Sequence, residues 1–209
     1  MSEVKYKYID HGSNTLILAI NDMAAAYEPE EKFMRYKSFI QVFPDCNILF
    51  IKETELQYWY LPHIDELLQI INKYSTTTVH ILTSSSGGFA ALHLMPHIHN
   101  LKSAVLVNIQ AYLDPDQLNQ YDDVCHIDLE KIGQFSDLFK PPVPSVAMRY
   151  YTCYNGSDRD FCDYFSQFPH IEIIKEPSDK NHWTYIQDKF LITEENRFYD
   201  EVRKYFGLQ

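Results

Sequence analysis

The stretch ILTSSSGGFAAL, residues 81–92, decides how this chain is read. Val79 to Thr83 is a β-favouring run, and Gly87 to Met95 is small, apolar and of helical length. Ser84, Ser85 and Ser86 stand at the junction, followed by Gly87 and Gly88. A strand that turns straight into a helix brings the two backbones almost into contact. Small residues are then needed two before and two after the apex of the turn. Ser85 has Thr83 and Gly87 in those places. Ser84 would have Leu82, which is too large. Ser86 would have Ser84 and Gly88, which is tolerable, but it lies closer to the helix. Ser85 is the candidate apex. Helix capping would account for one serine, but it gives no reason for a double glycine.

Outward from this junction the pattern alternates. Residues 4–9 (VKYKYI) read as a strand, His11 to Asn14 as a turn, and Thr15 to Ile20 as a buried strand, together a β-hairpin. Helical spacing of Phe33, Tyr36, Ile40 and Phe43 predicts a helix over Glu30 to Phe43. Further strands are expected at Asn47 to Lys52, Val79 to Thr83, Lys102 to Asn108, Ser145 to Cys153 and Ile171 to Lys175. Helices are expected at Pro62 to Tyr74, Gly87 to Met95, Asp128 to Phe139, Arg159 to Phe168 and Thr193 to Phe206. Strands alternating with helices predict a mostly parallel sheet with helices on both faces and the antiparallel hairpin at its N-terminal edge. One domain is expected over residues 1–209, with 110–144 a short, looser insertion.

Such sheets work at the carboxyl ends of their strands. Those ends carry Asn21-Asp22-Met23, then Tyr58-Trp59-Tyr60, the three serines, Tyr154 through Asp158, and His182-Trp183. One edge therefore offers a serine, an aspartate and a histidine, in that chain order. A serine hydroxyl is a poor nucleophile until a base takes its proton, and the base needs a carboxylate to fix its tautomer and balance its charge. Ser85, His182 and Asp158 are the candidates. Asp160 is the rival acid, and capping of the following helix is the structural alternative for Asp158. Among nine histidines, His182 alone follows the last strand. His97 and His99 are paired in sequence but lack an acidic or cysteine partner nearby, so no metal site is expected.

Residues 83–91, TSSSGGFAA, resemble the nucleophile elbow of the α/β-hydrolase superfamily. The order Ser85, Asp158, His182 is that superfamily's order of nucleophile, acid and base, the resemblance runs from about Lys5 to Phe206, and residues 110–144 stand where the superfamily inserts a cap over the site, here a short one. It implies a small serine esterase or acyl hydrolase that forms an acyl-enzyme and uses no cofactor or metal. The backbone N–H of Ser86 would be one oxyanion donor. Asn21-Asp22 stands where the family carries His-Gly. By position the second donor is Met23, with Asp22 its rival. Thr83 replaces the commoner glycine. Asp22, Trp59 and Trp183 are expected to border the substrate pocket, and a small-molecule or carbohydrate ester is the expected substrate.

Composition narrows the partners. A net charge of -11 and the lack of a basic block argue against nucleic acid. No run reaches the ~20 apolar residues of a membrane span. Four cysteines without CxxC spacing, and a first decapeptide without an apolar core, point to free thiols in the cytoplasm. An acyltransferase using the same three residues, and a non-catalytic binding protein of the same fold, are the competing readings. In a variant of the latter, the serine-rich turn grips a phosphate.

Overall fold

The structure, a computed structural model, describes residues 3–22, 32–33, 35–54, 60–75, 77–114, 129–176, 181–193 and 197–208. Its elements are β1 (Val4–Ile9), β2 (Thr15–Ile20), α1 (Tyr36–Val42), β3 (Asn47–Glu53), α2 (Ile64–Tyr74), β4 (Thr78–Ser84), α3 (Ser85–Leu94), β5 (Leu101–Ile109), α4 (Leu129–Gly133), β6 (Ala147–Thr152), α5 (Ser157–Phe165), β7 (Ile171–Lys175), α6 (His182–Lys189) and α7 (Phe198–Tyr205). The seven strands form one sheet in the order β1-β3-β2-β4-β5-β6-β7. All neighbouring pairs are parallel except β1 with β3.

That exception differs from the expected hairpin. β1 and β2 do not pair with each other, and β1 crosses over to lie against β3, with Tyr6 opposite Ile51. Two features of the sequence explain it. β2 is apolar along nearly its whole length and buries Leu16 to Ile20, so it needs a neighbour on each side. β1 alternates and carries Lys5 and Lys7, residues that protect an open sheet edge. The turn between them is tied to the start of β3. Asn47 Oδ1 accepts from His11 N at 2.8 Å and Ser13 N at 3.2 Å, while its Nδ2 donates to the Ser13 carbonyl at 2.8 Å.

Period-two burial divides the core into two layers. Leu16, Leu18, Ile20, Leu49, Ile51 and Ile81 pack with α2, α3 and α5 on one face. Ile17, Ala19, Ile48, Phe50, Leu82 and Val105 pack with α1, α6 and α7 on the other. α3 is buried along its whole length, and its composition matches: it is small and apolar all round rather than amphipathic. Its Phe89 contacts a further cluster with Leu61, Leu113, Ile132 and Phe139. Two bonds hold the described part of segment 129–139 there. Leu113 N donates to the Phe139 carbonyl, and His93 Nε2 to the Leu138 carbonyl, both at 2.8 Å. Among the described residues, no helix is long and apolar enough to cross a membrane.

Candidate active site

The elbow is built by close approach. A Cβ on Gly87 would meet the backbone carbonyls of Ile20 and Asn21 and the Thr83 hydroxyl, and one on Gly88 would meet the Ile109 side chain. The double glycine therefore answers two separate contacts. Gly87 lets α3 cross the end of β2, and Gly88 lets it lie on β5. Thr83 fits at the first small position because its hydroxyl donates to the Ile20 carbonyl at 2.6 Å. Ser85, the first residue of α3, has φ 48°, a left-handed conformation that serine seldom adopts.

Three of the sequence candidates meet there. His182 Nε2 lies 3.1 Å from Ser85 Oγ, and His182 Nδ1 lies 2.8 Å from Asp158 Oδ1. The carboxylate only accepts, so Nδ1 carries the proton and Nε2 faces the serine as an acceptor. Asp158 is 2% exposed, and the His182 side chain is 29% exposed, so the imidazole reaches solvent while its partner does not. Asp160, the rival acid, is exposed.

Each side chain arrives by a local device. His182 opens helix α6, where the sequence pattern predicts no helix. Asn181 caps that helix, accepting from Thr184 N at 2.8 Å through its side chain. Asp158 follows a bent loop in which Tyr154 and Gly156 both have φ 53°. The cap position of α5 falls to Gly156, which leaves the Asp158 carboxylate for the histidine.

The segment after β2 is held tightly. Asn21 N donates to the Ile51 carbonyl at 2.8 Å, and the Asn21 carbonyl accepts from Tyr60 Oη at 2.6 Å. Asp22 Oδ2 accepts from Arg35 Nη2 and from Ser84 Oγ, each at 2.9 Å, and Arg35 Nη1 reaches Ser84 Oγ at 3.2 Å. Asp22 was expected to border the pocket. Its side chain is 1% exposed and offers no surface to a ligand in this conformation. It braces the residue that precedes Ser85. Ser86 lies in the first turn of α3, where backbone N–H groups have no intrahelical acceptor. Trp183 is half-buried beside His182. Met23 and Trp59 lie outside the described residues.

Sequence reading did not single out Gln110, Arg35, Asn108 or Cys153. Gln110 Nε2 points at Ser85 Oγ across 3.4 Å. Asn108 and Cys153 stand behind Asp158. The strand-end rule would have found three of them, since Asn108 and Gln110 flank the end of β5 and Cys153 directly follows β6. Arg35 carried no such signal, because its partner Asp22 is 13 residues away in the chain. Among the described residues no group of three His, Cys, Asp or Glu side chains could hold a metal ion.

No protein-family model matches this chain, and no curated protein matches it. Solved structures do. An α/β-hydrolase enzyme from a Medee basin deep-sea metagenome library superposes with a TM-score of 0.67 at 12% identity, covering 100% of this chain and 95% of that one. A structure from work on carboxylesterases of the thaumarchaeon Nitrososphaera gargenis gives 0.66 at 11%, covering 99% and 94%. Alpha/beta hydrolase domain-containing protein 10 from mouse gives 0.66 at 10%, covering 98% and 94%. The likeness spans nearly the whole of each chain, and at these identities it concerns the fold.

Proposed function

We propose that this chain, which has the α/β-hydrolase fold, is a serine hydrolase that cleaves an ester or thioester. Ser85 is the nucleophile, His182 the base and then the acid, and Asp158 its partner. The observation that carries this reading is the pair of hydrogen bonds in series, 3.1 Å from Ser85 to His182 and 2.8 Å from His182 to Asp158. They join three residues that sequence places 97 and 24 positions apart.

In this reading, Nε2 of His182 takes the Ser85 proton as Oγ attacks the acyl carbon. The acyl oxygen becomes an oxyanion facing the Ser86 N–H, with Met23 N–H as second donor by position. Asp158 keeps the Nδ1 proton in place and balances the imidazolium. Collapse breaks the acyl–oxygen or acyl–sulfur bond, and His182 returns its proton to the leaving group. Water then attacks the acyl-Ser85 ester, giving its proton to Nε2, and the acid leaves with Ser85 reprotonated. No cofactor enters. Trp183, beside His182, supplies a flat wall suited to a small acyl or carbohydrate ester. The buried free thiols of Cys46, Cys153 and Cys162 agree with a cytoplasmic setting.

The test is covalent labelling with a fluorophosphonate. The folded wild type is expected to be labelled and Ser85→Ala not. A folded wild type that stays unlabelled overturns the assignment.

A further inference from the structure

We infer that Cys153 is a positioning residue: its thiol, held by Asn108, donates to the outer oxygen of Asp158 and so tunes the carboxylate that faces His182. This rests on the triad reading above and extends it inward by two residues.

Asp158 uses both oxygens. Oδ1 meets His182, and Oδ2 lies 3.3 Å from Cys153 Sγ. The direction of that second bond is fixed by its surroundings. Asn108 Oδ1 accepts from Cys153 N at 3.1 Å, which settles which way the amide is turned. Asn108 Nδ2 then donates to Sγ at 3.2 Å. The thiol accepts from the amide, and its single proton is left for the carboxylate. Asn108 and Cys153 are fully buried and Asp158 nearly so. Water therefore does not compete for these bonds, and each is electrostatically stronger than at a surface. Burial pushes the Cys153 thiol up from its ordinary value, which keeps the donor protonated at neutral pH. Asn108 holds φ 44° to reach this position, a conformation that asparagine tolerates better than most residues.

The consequence is a charge balance. Among the described residues Asp158 receives two side-chain donors, one from the thiol and one from the imidazole, and the buried Tyr150 hydroxyl lies within electrostatic reach of the carboxylate. The thiol draws part of the negative charge toward Oδ2. Without it, more charge faces Nδ1, and His182 holds a proton more tightly. The acid side of the reaction then needs a higher pH.

The experiment reads the rate of fluorophosphonate labelling against pH. The midpoint of its acid limb follows the free-enzyme His182. In Cys153→Ala the midpoint is expected to rise by roughly half a pH unit, since removing a hydrogen bond to a charged group shifts a coupled ionisation by that order. Cys153→Ser keeps a hydroxyl donor and holds the midpoint at or below the wild-type position. A purely structural cysteine would lower the rate or the melting temperature and leave the midpoint alone. An unmoved or lowered midpoint in folded Cys153→Ala overturns the proposal. A second measurement needs neither activity nor that variant. The infrared S–H stretch of Cys153 is isolated as the difference between wild type and Asp158→Ala. It should lie below the free-thiol position in wild type and rise when the carboxylate is removed. A band that does not respond to Asp158 overturns the proposal even if labelling succeeds. A responsive band in a protein that no fluorophosphonate labels would sink the hydrolase reading and spare the contact.

Discussion

The Thr83 hydroxyl donates to the Ile20 carbonyl across 2.6 Å, and that bond limits what residue 87 can be. A methyl group on Gly87 would meet both of those oxygens and the Asn21 carbonyl 2.8 Å away. Two of the three obstacles are backbone, so they have no rotamer to change. Gly88 differs, because its obstacle is the Ile109 side chain. Gly87→Ala is therefore expected to destabilise by at least the ~1–3 kcal/mol typical of overpacking, with no rescue from side-chain truncation. Gly88→Ala is expected to be rescued in part by Ile109→Ala. Urea unfolding of the single and double variants measures both, and a non-additive Gly88–Ile109 pair beside an additive Gly87–Ile109 pair is the expected signature.

Arg35 and Asp22 form a nearly buried ion pair, with side chains 11% and 1% exposed. The guanidinium also stacks on Phe190 at 4.0 Å from the ring centroid. Removing one member leaves the other charge without compensation. Arg35→Met is expected to cost about 3–5 kcal/mol of stability. Adding Asp22→Asn should recover much of that loss, because the uncompensated charge disappears. Denaturant midpoints of the two single variants and the double variant check this. A double variant as unstable as the sum of the singles would show that packing, not charge, dominates.

His80 is buried in β4, with its ring stacked on Phe206 at 4.5 Å and Nδ1 2.8 Å from Ser103 Oγ. Burial, with Lys102 as a lesser cause, lowers it from 6.5 to about 4. Folding therefore excludes a proton that the unfolded chain accepts. The stability of the neutral form is fully present above pH 6.5, declines as the pH falls from there, and levels off below about 4. The span corresponds to up to about 3 kcal/mol. His80→Leu is expected to flatten the pH dependence of the melting temperature between those limits. A curve of unchanged slope would move the cause to another group.

The sheet and the elbow were legible in the sequence because both rest on short-range rules. Continuous apolar strands announce a parallel interior, and the small residues around Ser85 announce a close crossing. Where the reading went astray, the cause lay between distant residues. The turn at residues 11–14 looks like a hairpin turn, but Asn47 draws it over β3. His182 reads as a loop residue because the sequence signal of its helix is one cap, Asn181. Asp22 reads as a pocket residue because its burial depends on Arg35 and Ser84, which local pattern does not reveal. The pairing behind Asp158 was hidden for the same reason: strand ends mark Asn108 and Cys153 singly, but the two lie 45 residues apart and touch only in the folded chain.

The choice between Asp158 and Asp160 is the sharpest case, since local sequence leaves both open on the first turn of α5. Residues two apart on a helix point in different directions, and here one faces the His182 ring while the other faces solvent. Asp158→Asn keeps the shape but loses the charge that fixes the Nδ1 proton. The imidazole then settles in the wrong tautomer, with Nε2 protonated and unable to take the serine proton. The labelling rate is expected to fall by about 10⁴-fold, the loss seen when a triad acid is neutralised in this way. Asp160→Asn should leave the rate within about twofold, as for an exposed group that makes no contact with the site. Measured side by side at one pH, the two variants differ in position alone. Equal losses would move the acid role away from Asp158 and break the series of bonds on which the hydrolase reading stands.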